Sequence, residues 1–181
     1  IVTLGAWLAD FDEAEKEPHT ILVVDDDDFA AASYAMAIEM AGMRAIVVND
    51  ATKAMEAVDR ISPDLVLMDM NMPGASGLEV AQVLRQSRNN LSLPIVFLSA
   101  ERDVQIQQLA RRVGGDDFIS KPVNLEHLAS MVAIRAERAH ALRQIMEKDS
   151  LTGLLNHASF KERLSVELDR SARTQSPIAV C

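Results

Sequence analysis

The stretch ILVVDDDD, residues 21–28, places four apolar residues directly before four consecutive aspartates. A short continuous apolar run is typical of a strand that is buried on both faces of a parallel sheet. Four further runs of this kind occur at 45–48, 65–68, 95–98 and 118–119. Segments with helical periodicity lie between the runs, at 30–41, 51–60, 78–88 and 104–113. The alternation predicts an α/β fold over residues 20–146, with a doubly wound five-stranded parallel sheet.

The composition of the chain narrows the class of protein further. Hydrophobic residues make up 49% of the 181 positions, which excludes general disorder, and no apolar run has the roughly 20 residues that a membrane span needs. The net charge of −9 argues against nucleic acid as a partner, because binding to phosphates needs clustered Lys and Arg. The single cysteine can form no internal disulfide, so we expect a cytoplasmic protein. Because no apolar run is long enough for a membrane span, we expect no membrane partner. The length allows one complete core and part of another.

Polar side chains stand at the ends of four of the five predicted strands. Asp25 and Asp26 follow the first strand, Asp69 the third, Ser99 the fourth and Lys121 the fifth. Ligands bind beyond the carboxyl ends of such strands, so these side chains are expected to lie close together. Three crowded carboxylates raise each other's pKa unless a cation is present, and Mg²⁺ suits such ligands. The sequence therefore predicts a site for phosphoryl transfer, with a metal, a cationic side chain, a hydroxyl and a carboxylate nucleophile.

Four blocks of sequence resemble the signature of bacterial response-regulator receiver domains. They are ILVVDDD at 21–27, LMDMNMPG at 67–74, LSA at 98–100 and SKP at 120–122. The blocks occur in this order over about residues 19–140. The resemblance implies a flavodoxin-like receiver in a two-component system, phosphorylated in a Mg²⁺-dependent reaction. The phosphodonor would be a sensor histidine kinase or a phosphotransfer protein.

The same resemblance implies roles for the acidic residues and their neighbour. Asp69 would be the phosphoacceptor and would form an aspartyl phosphate. Asp26 would bind Mg²⁺ directly together with Asp69. Asp25 would hold a metal-bound water, and Asn71 would contribute its backbone carbonyl.

Four other residues receive roles from the resemblance. Lys121 would pair with Asp69 and with the phosphoryl oxygens, and the bond before Pro122 is expected to be cis. Ser99 would follow the phosphoryl group by a hydrogen bond. Phe118 stands where the family has its switch aromatic, and it would turn inward after Ser99 moves.

The neighbouring residues are interpreted as structural. Asp27 and Asp28 are predicted to be the N-cap and a first-turn acid of the next helix, since carboxylates stabilise helix N-termini. Gly74 and Gly77 are predicted to shape the loop after Asp69 rather than to contact phosphate.

From residue 125 the pattern becomes heptad-like. Positions at steps of three and four are Leu125, Leu128, Val132, Arg135, Ala139, Leu142 and Met146. No Gly or Pro interrupts residues 123–152, so the last receiver helix is predicted to continue outward and to pair with a second chain. The alternative is an amphipathic helix that packs on its own sheet to about Ile134. Candidates for ion pairs between two chains are Arg111, Arg112, Asp116, Asp117 and Arg135.

Residues 149–160 resemble the opening of a diguanylate cyclase domain of the GGDEF family. That opening has the form D-x-L-T-G-L-x-N-R-x-x-F, and seven of its eight specified positions match, with His157 in place of the Arg. The resemblance covers about residues 149–181, with a strand expected at 177–180, and does not reach the catalytic half. A second stretch, GGDDF at 114–118, resembles the cyclase active-site loop but lies upstream of the opening, so we interpret it as the turn into the fifth receiver strand.

Four segments of the chain follow from these patterns. We predict a lead-in or the remnant of an upstream segment at 1–17, a receiver core at 18–124, a receiver helix and linker at 125–148, and the start of a cyclase domain at 149–181.

The leading functional hypothesis is a receiver that controls a C-terminal diguanylate cyclase through a phosphorylation-dependent homodimer. Whether the chain itself is an enzyme stays open, because it lacks a cyclase active site. The alternative is a phosphorelay or scaffold receiver with a degenerate, inactive cyclase tail. An Asp-nucleophile phosphatase of the haloacid dehalogenase type would need a second Asp where Asn71 stands.

Overall fold

A computed structural model describes residues 17–100, 112, 114–147, 152 and 154–174. Several predicted features therefore lie outside the described residues. These are nearly all of the lead-in at 1–17, most of the predicted helix at 104–113, residues 149–151 and 153 of the cyclase-like opening, and the strand at 177–180.

Strands and helices alternate along the described chain, as the apolar runs predict. The strands are β1 (Thr20–Val24), β2 (Arg44–Val48), β3 (Leu65–Asp69), β4 (Ile95–Ser99) and β5 (Asp117–Ser120). The helices are α1 (Asp28–Met40), α2 (Ala54–Ile61), α3 (Gly77–Leu84), α4 (Leu125–Glu147) and α5 (His157–Thr174). Two short 3-10 turns, Ala51–Lys53 and Arg88–Asn90, precede α2 and β4.

The described strands form one five-stranded sheet in the order β2-β1-β3-β4-β5, and all of its pairs are parallel. The predicted doubly wound fold is confirmed. In the register of the sheet, Val24 pairs with Val48 and with Met68, so the first three strands end side by side. Ser99 pairs with Ser120 at the same edge. This register brings the polar residues that follow the strands together.

Burial differs between the inner and outer strands. Every residue of β3 and β4 is buried, and so are all of β1 except Thr20. β2 and β5 lie at the two edges of the sheet, and the expectation that all five strands are buried on both faces is wrong for them. β2 leaves Arg44 exposed and Val47 37% exposed, because the outermost strand has a neighbour on one side only.

Two apolar cores cover the two faces of the sheet, because successive residues of a strand point to opposite faces. On one face Leu22, Val66 and Phe97 pack with the buried residues of α2 and α3. On the other face Ile21 and Leu67 pack with α1 and with the first half of α4.

The first half of the predicted heptad seam packs against the sheet of the receiver. Leu128 and Val132 are fully buried against the sheet of their own chain, so they are not available to a second chain. Arg135 pairs with Asp117 of β5 in the same chain. The burial matches the alternative interpretation of this helix, in which it packs on its own sheet, while Ile134 is 67% exposed on the outer side.

The chain divides into two compact units at residues 139 and 140. In the second unit, the Oδ1 of Asn156 accepts a hydrogen bond from the N–H of Ser159 at 3.0 Å, at the start of α5. Asn156 is one of the matched positions of the cyclase-like opening, and here it caps a helix. Among the described helices, none has the length and apolarity that crossing a membrane requires.

Candidate functional site

Three carboxylates meet at the carboxyl edge of the sheet. Asp25 follows β1, and Asp69 is the last residue of β3. One oxygen of each of these groups and of Asp26 lies within 4.8 Å of the other two. Asp25 and Asp69 are 1% and 5% exposed, whereas Asp26 is exposed. The register of β1 and β3 therefore gathers the acidic residues that the sequence predicted to converge.

Lys121 places an ammonium group between the two buried carboxylates. Its Nζ lies 2.7 Å from Asp69 Oδ1 and 3.1 Å from Asp25 Oδ2. The peptide bond between Lys121 and Pro122 is cis. Burial alone lowers the pKa of Lys121, but the hydrogen bonds and charges of Asp69 and Asp25 outweigh burial and raise it above its usual value. The ammonium is therefore charged at neutral pH.

Backbone amides hold the two buried carboxylates in place. The N–H of Asp27 donates to Asp25 Oδ1 at 3.0 Å, and the N–H of Asn71 donates to Asp69 Oδ2 at 3.0 Å. Burial raises the pKa of Asp25, although the Asp27 amide and Lys121 act in the opposite direction. A buried carboxylate in this state is stabilised by any further cation nearby.

The set of donor atoms fits a hard divalent cation. Asp25, Asp26 and Asp69 supply carboxylate oxygens. These three carboxylates and the ammonium of Lys121 together carry an excess of negative charge. Mg²⁺ is bound in proteins by one or two carboxylates together with water and phosphate oxygens. The exposure of Asp26 leaves one side of the cluster open to such an ion and to its waters.

The other two aspartates of the acidic run have structural roles. Asp27 is the N-cap of α1, and its Oδ1 accepts hydrogen bonds from the N–H groups of Phe29 at 2.9 Å and Ala30 at 3.1 Å. Asp28 lies in the first turn and bonds to the side chain of Asn49. Both findings confirm the sequence-based interpretation of these residues.

Ser99 and Phe118 lie on the two strands next to the acidic cluster. Ser99 is fully buried at the end of β4, and its carbonyl accepts a hydrogen bond from the N–H of Lys121 at 2.7 Å. Phe118 pairs with Phe97 in the register and is half-buried against the core under α2 and α3. The switch that the sequence assigns to Ser99 and Phe118 stays a prediction.

Tyr34 was not predicted from the sequence to be near the site. It is buried on the inner side of α1, and burial raises the pKa of its hydroxyl. The charges of Lys121, Asp25 and Asp69 also act on this pKa, which places Tyr34 in the electrostatic surroundings of the cluster. The available signal was a large aromatic residue in a helix that contains many alanines.

The GGDDF stretch at 114–118 lies at the amino ends of β4 and β5, opposite the acidic cluster. Gly114 has a φ of +94°, and its carbonyl accepts hydrogen bonds from Arg85. Asp116 accepts hydrogen bonds from the N–H of Ile95 at 2.8 Å and from Arg85 at 3.1 Å. The stretch is a turn into β5, as predicted, and Asp116 pairs within its own chain.

Residues 21–133 match the family model described as the response regulator receiver domain. The chain belongs to this family. Receiver domains of the family interact with histidine kinases or phosphotransfer proteins, and this chain is a two-component response regulator receiver.

Two curated relatives illustrate the range of the family. An uncharacterized 76.5 kDa protein of Thiocystis violacea is 31% identical over 168 residues, which cover 91% of this chain and 24% of that protein. The DNA-binding response regulator MtrA of Mycolicibacterium paratuberculosis is 38% identical over 118 residues, which cover 65% of this chain and 51% of MtrA. The chain thus spans about a quarter of the first relative and about half of the second.

Solved structures show the same fold. A putative response regulator from Chloroflexus aurantiacus superimposes with a TM-score of 0.64 at 28% identity, covering 67% of this chain and all of that one. The receiver domain of the Francisella response regulator 1452 superimposes with a TM-score of 0.62 at 27% identity, over 66% of this chain and 98% of that one.

Proposed function

We propose that Asp69 is the phosphoacceptor of this receiver. A carboxylate oxygen of Asp69 attacks the phosphorus of a phosphohistidine on a histidine kinase or phosphotransfer protein. The new oxygen–phosphorus bond forms an aspartyl phosphate as the phosphorus–nitrogen bond breaks and the imidazole leaves. The observation that carries the proposal is the position of the Lys121 ammonium, within hydrogen-bonding distance of both buried carboxylates.

Lys121 serves this reaction by facing the negative charge that is transferred. Its Nζ bonds Asp69 Oδ1 before transfer, and it would bond the phosphoryl oxygens afterwards. Fixed positive charge aimed at developing negative charge is the main source of catalysis in phosphoryl transfer. Ser99, buried at the end of β4, would donate its hydroxyl to the phosphoryl group, and Phe118 would pack into the space that Ser99 leaves.

Asp25, Asp26, Asp69 and the backbone carbonyl of Asn71 would hold Mg²⁺. Receiver domains generally use this ion for phosphorylation. When bound, the ion neutralises charge between the carboxylates and the incoming phosphoryl group. The buried state of Asp25 and Asp69 supports the assignment, since buried carboxylates gain most from a nearby cation.

The output of the phosphorylated receiver is proposed to be a C-terminal diguanylate cyclase that makes cyclic di-GMP from two GTP. The cyclase-like opening at 149–160 supports this proposal. Control would run through a homodimer of this cytoplasmic protein, with contacts on exposed residues of α4 such as Ile134 and Leu142. A degenerate cyclase tail on a phosphorelay receiver is the alternative.

The experiment uses the full-length protein that contains this chain. Acetyl phosphate with Mg²⁺ is expected to transfer phosphoryl groups to the wild type and to raise cyclic di-GMP synthesis from GTP. Asp69→Asn should abolish both effects, whereas Asp28→Asn, an exposed first-turn acid in α1, should keep them. Phosphorylation without any cyclic di-GMP would favour the degenerate tail. Equal phosphorylation of Asp69→Asn would contradict the assignment of the phosphoacceptor.

A further inference from the structure

Gly77 lies against the backbone of Asp69. It is the first residue of α3, and a Cβ atom built on it would lie 2.3 Å from the carbonyl oxygen of Asp69. The same Cβ would lie 3.2 Å from the carbonyl carbon of Asp69 and 3.2 Å from Met68 Cγ. Because two of these three atoms belong to the backbone, no rotation of a side chain can relieve the contact. Any other residue at this position must displace Asp69 or the start of α3.

Hydrogen bonds connect Gly77 to the loop that carries Asn71. The N–H of Gly77 donates to the carbonyl of Met70 at 3.0 Å, which closes residues 70–77 into a loop. The N–H of Met70 donates to the carbonyl of Leu98 at 3.0 Å, which fixes the same residue to β4. Asp69 is thus held between β4 and the first residue of α3.

A capping box keeps the start of α3 in its place beside Asp69. The hydroxyl oxygen of Ser76 accepts a hydrogen bond from the N–H of Glu79 at 3.3 Å. The carboxylate of Glu79 accepts one from the N–H of Ser76 at 2.8 Å. Gly77 is therefore held on one side by the capping box and on the other by its hydrogen bond to Met70.

We propose that Gly77 is a positioning residue for phosphoryl transfer, which sets the place of Asp69 and of the Asn71 backbone through close backbone packing. The proposal rests on Asp69 being the phosphoacceptor. It extends that assignment by placing the control of acceptor geometry at the start of α3. Displacement of a reacting group by about 1 Å costs on the order of 100-fold in rate, so one methyl group at Gly77 is enough to disable the site.

The test measures Gly77→Ala for its rate of phosphorylation by acetyl phosphate as a function of Mg²⁺ concentration. The maximal rate per folded molecule is expected to fall on the order of 100-fold. The Mg²⁺ concentration that gives half of the maximal rate is expected to rise, because the Asn71 loop moves with Asp69. Circular dichroism and amide NMR spectra give the folded fraction of each variant.

A matched variant separates positioning from a loss of stability. Val80→Ala removes two methyl groups from a buried residue of the same helix, and both kinetic quantities should stay within about twofold of the wild type. Kinetics of Gly77→Ala that equal those of Val80→Ala would overturn the proposal.

A second variant decides the question if Gly77→Ala does not fold. Ser76→Ala breaks the capping box without adding an atom near Asp69, and it is expected to raise the half-saturating Mg²⁺ concentration while Val80→Ala does not. No shift in Ser76→Ala would then overturn the proposal. Asp69→Asn is measured in parallel: if it is phosphorylated normally, the assignment of the phosphoacceptor fails, whereas a dead Asp69→Asn beside an unaffected Gly77→Ala refutes only the positioning role.

Discussion

The two ends of the sheet carry charged clusters of different balance. At the carboxyl ends, the carboxylates of Asp25, Asp26 and Asp69 lie close together, and the ammonium of Lys121 contacts those of Asp25 and Asp69. At the amino ends of β4 and β5, the guanidinium of Arg85 meets one carboxylate, that of Asp116, and the carbonyls of Gly114 and Asn90.

We interpret this difference as the difference between the proposed reaction site and a cluster that stabilises the fold. The amino-end cluster is close to neutral, and its hydrogen bonds join α3 to the entrance of β5. The carboxyl-end cluster keeps an excess of negative charge in a buried place, which costs folding free energy and suits an incoming cation. We expect substitutions at the carboxyl end to lower mainly the phosphorylation rate, and substitutions at the amino end to lower mainly the free energy of unfolding.

The largest effect is expected at Lys121. Lys121→Met removes the positive charge that contacts Asp25 and Asp69, and phosphorylation by acetyl phosphate should slow by about 100-fold. The chain should still fold, because the side chain is only partly buried and Met replaces its apolar stem. The rate is measured by incorporation of labelled phosphate at saturating Mg²⁺. A rate within threefold of the wild type would remove Lys121 from the mechanism.

The amino-end cluster should respond in the opposite way. Arg85→Met removes the hydrogen bonds that Arg85 donates to Asp116 and to two carbonyls, so the free energy of unfolding should fall by about 2 kcal/mol, as measured by urea denaturation. Phosphorylation of the folded fraction should not change. Lys53→Met is the control, since the pair of Lys53 and Asp50 is exposed and is expected to contribute little to the free energy of unfolding. A large loss of phosphorylation in Arg85→Met would contradict the comparison.

The substitution Asp27→Ala tests whether an aspartate next to the carboxyl-end cluster, but outside it, affects phosphorylation. Asp27→Ala removes the N-cap of α1 and should lower the free energy of unfolding by about 1 kcal/mol. The bond from the Asp27 N–H to Asp25 is a backbone bond and survives the substitution. The phosphorylation rate should therefore stay near that of the wild type. Asp59→Ala, on an exposed position of α2, is the control for stability.

The smallest effect is a dependence of stability on pH at Glu79. Hydrogen bonds from the backbone N–H and the hydroxyl of Ser76 hold the pKa of Glu79 below its usual 4.5. The stabilisation by ionised Glu79 is therefore present above pH 4.5 and is lost as pH falls through the lowered pKa. The difference in unfolding free energy between wild type and Glu79→Gln should change only in this acidic range. A difference that is constant from pH 7 to pH 3 would show that the capping box contributes nothing through charge.

Most of the fold could be predicted because its signals are local. Each apolar run became a strand, and Asp27 became an N-cap, since both features depend on neighbouring residues. The exposure of Val47 depends on the edge position of β2, which a single run does not report. Likewise, Leu128 and Val132 satisfy both a heptad seam and a sheet-facing stripe, and only packing decides between them.

The site was predictable from the order of the strands, whereas the contacts of Gly77 and Arg85 that stabilise the surrounding structure were not. Asp25, Asp26 and Asp69 meet because parallel strands end at one edge. Gly77 was predicted only to shape a loop, because its contact with the Asp69 carbonyl depends on how α3 docks. Arg85 carries no motif, and its role follows from a turn 29 residues away.

The central claim is that the carboxyl-end cluster is the site at which Asp69 is phosphorylated. The most direct measurement is peptide mapping of the wild-type chain by mass spectrometry after reaction with acetyl phosphate and Mg²⁺. We predict one added phosphoryl group, located on the peptide that contains Asp69, labile to hydroxylamine and absent when Mg²⁺ is removed by a chelator. A stable phosphoryl group on another residue, or a chain that remains unmodified while folded and supplied with Mg²⁺, would contradict the account.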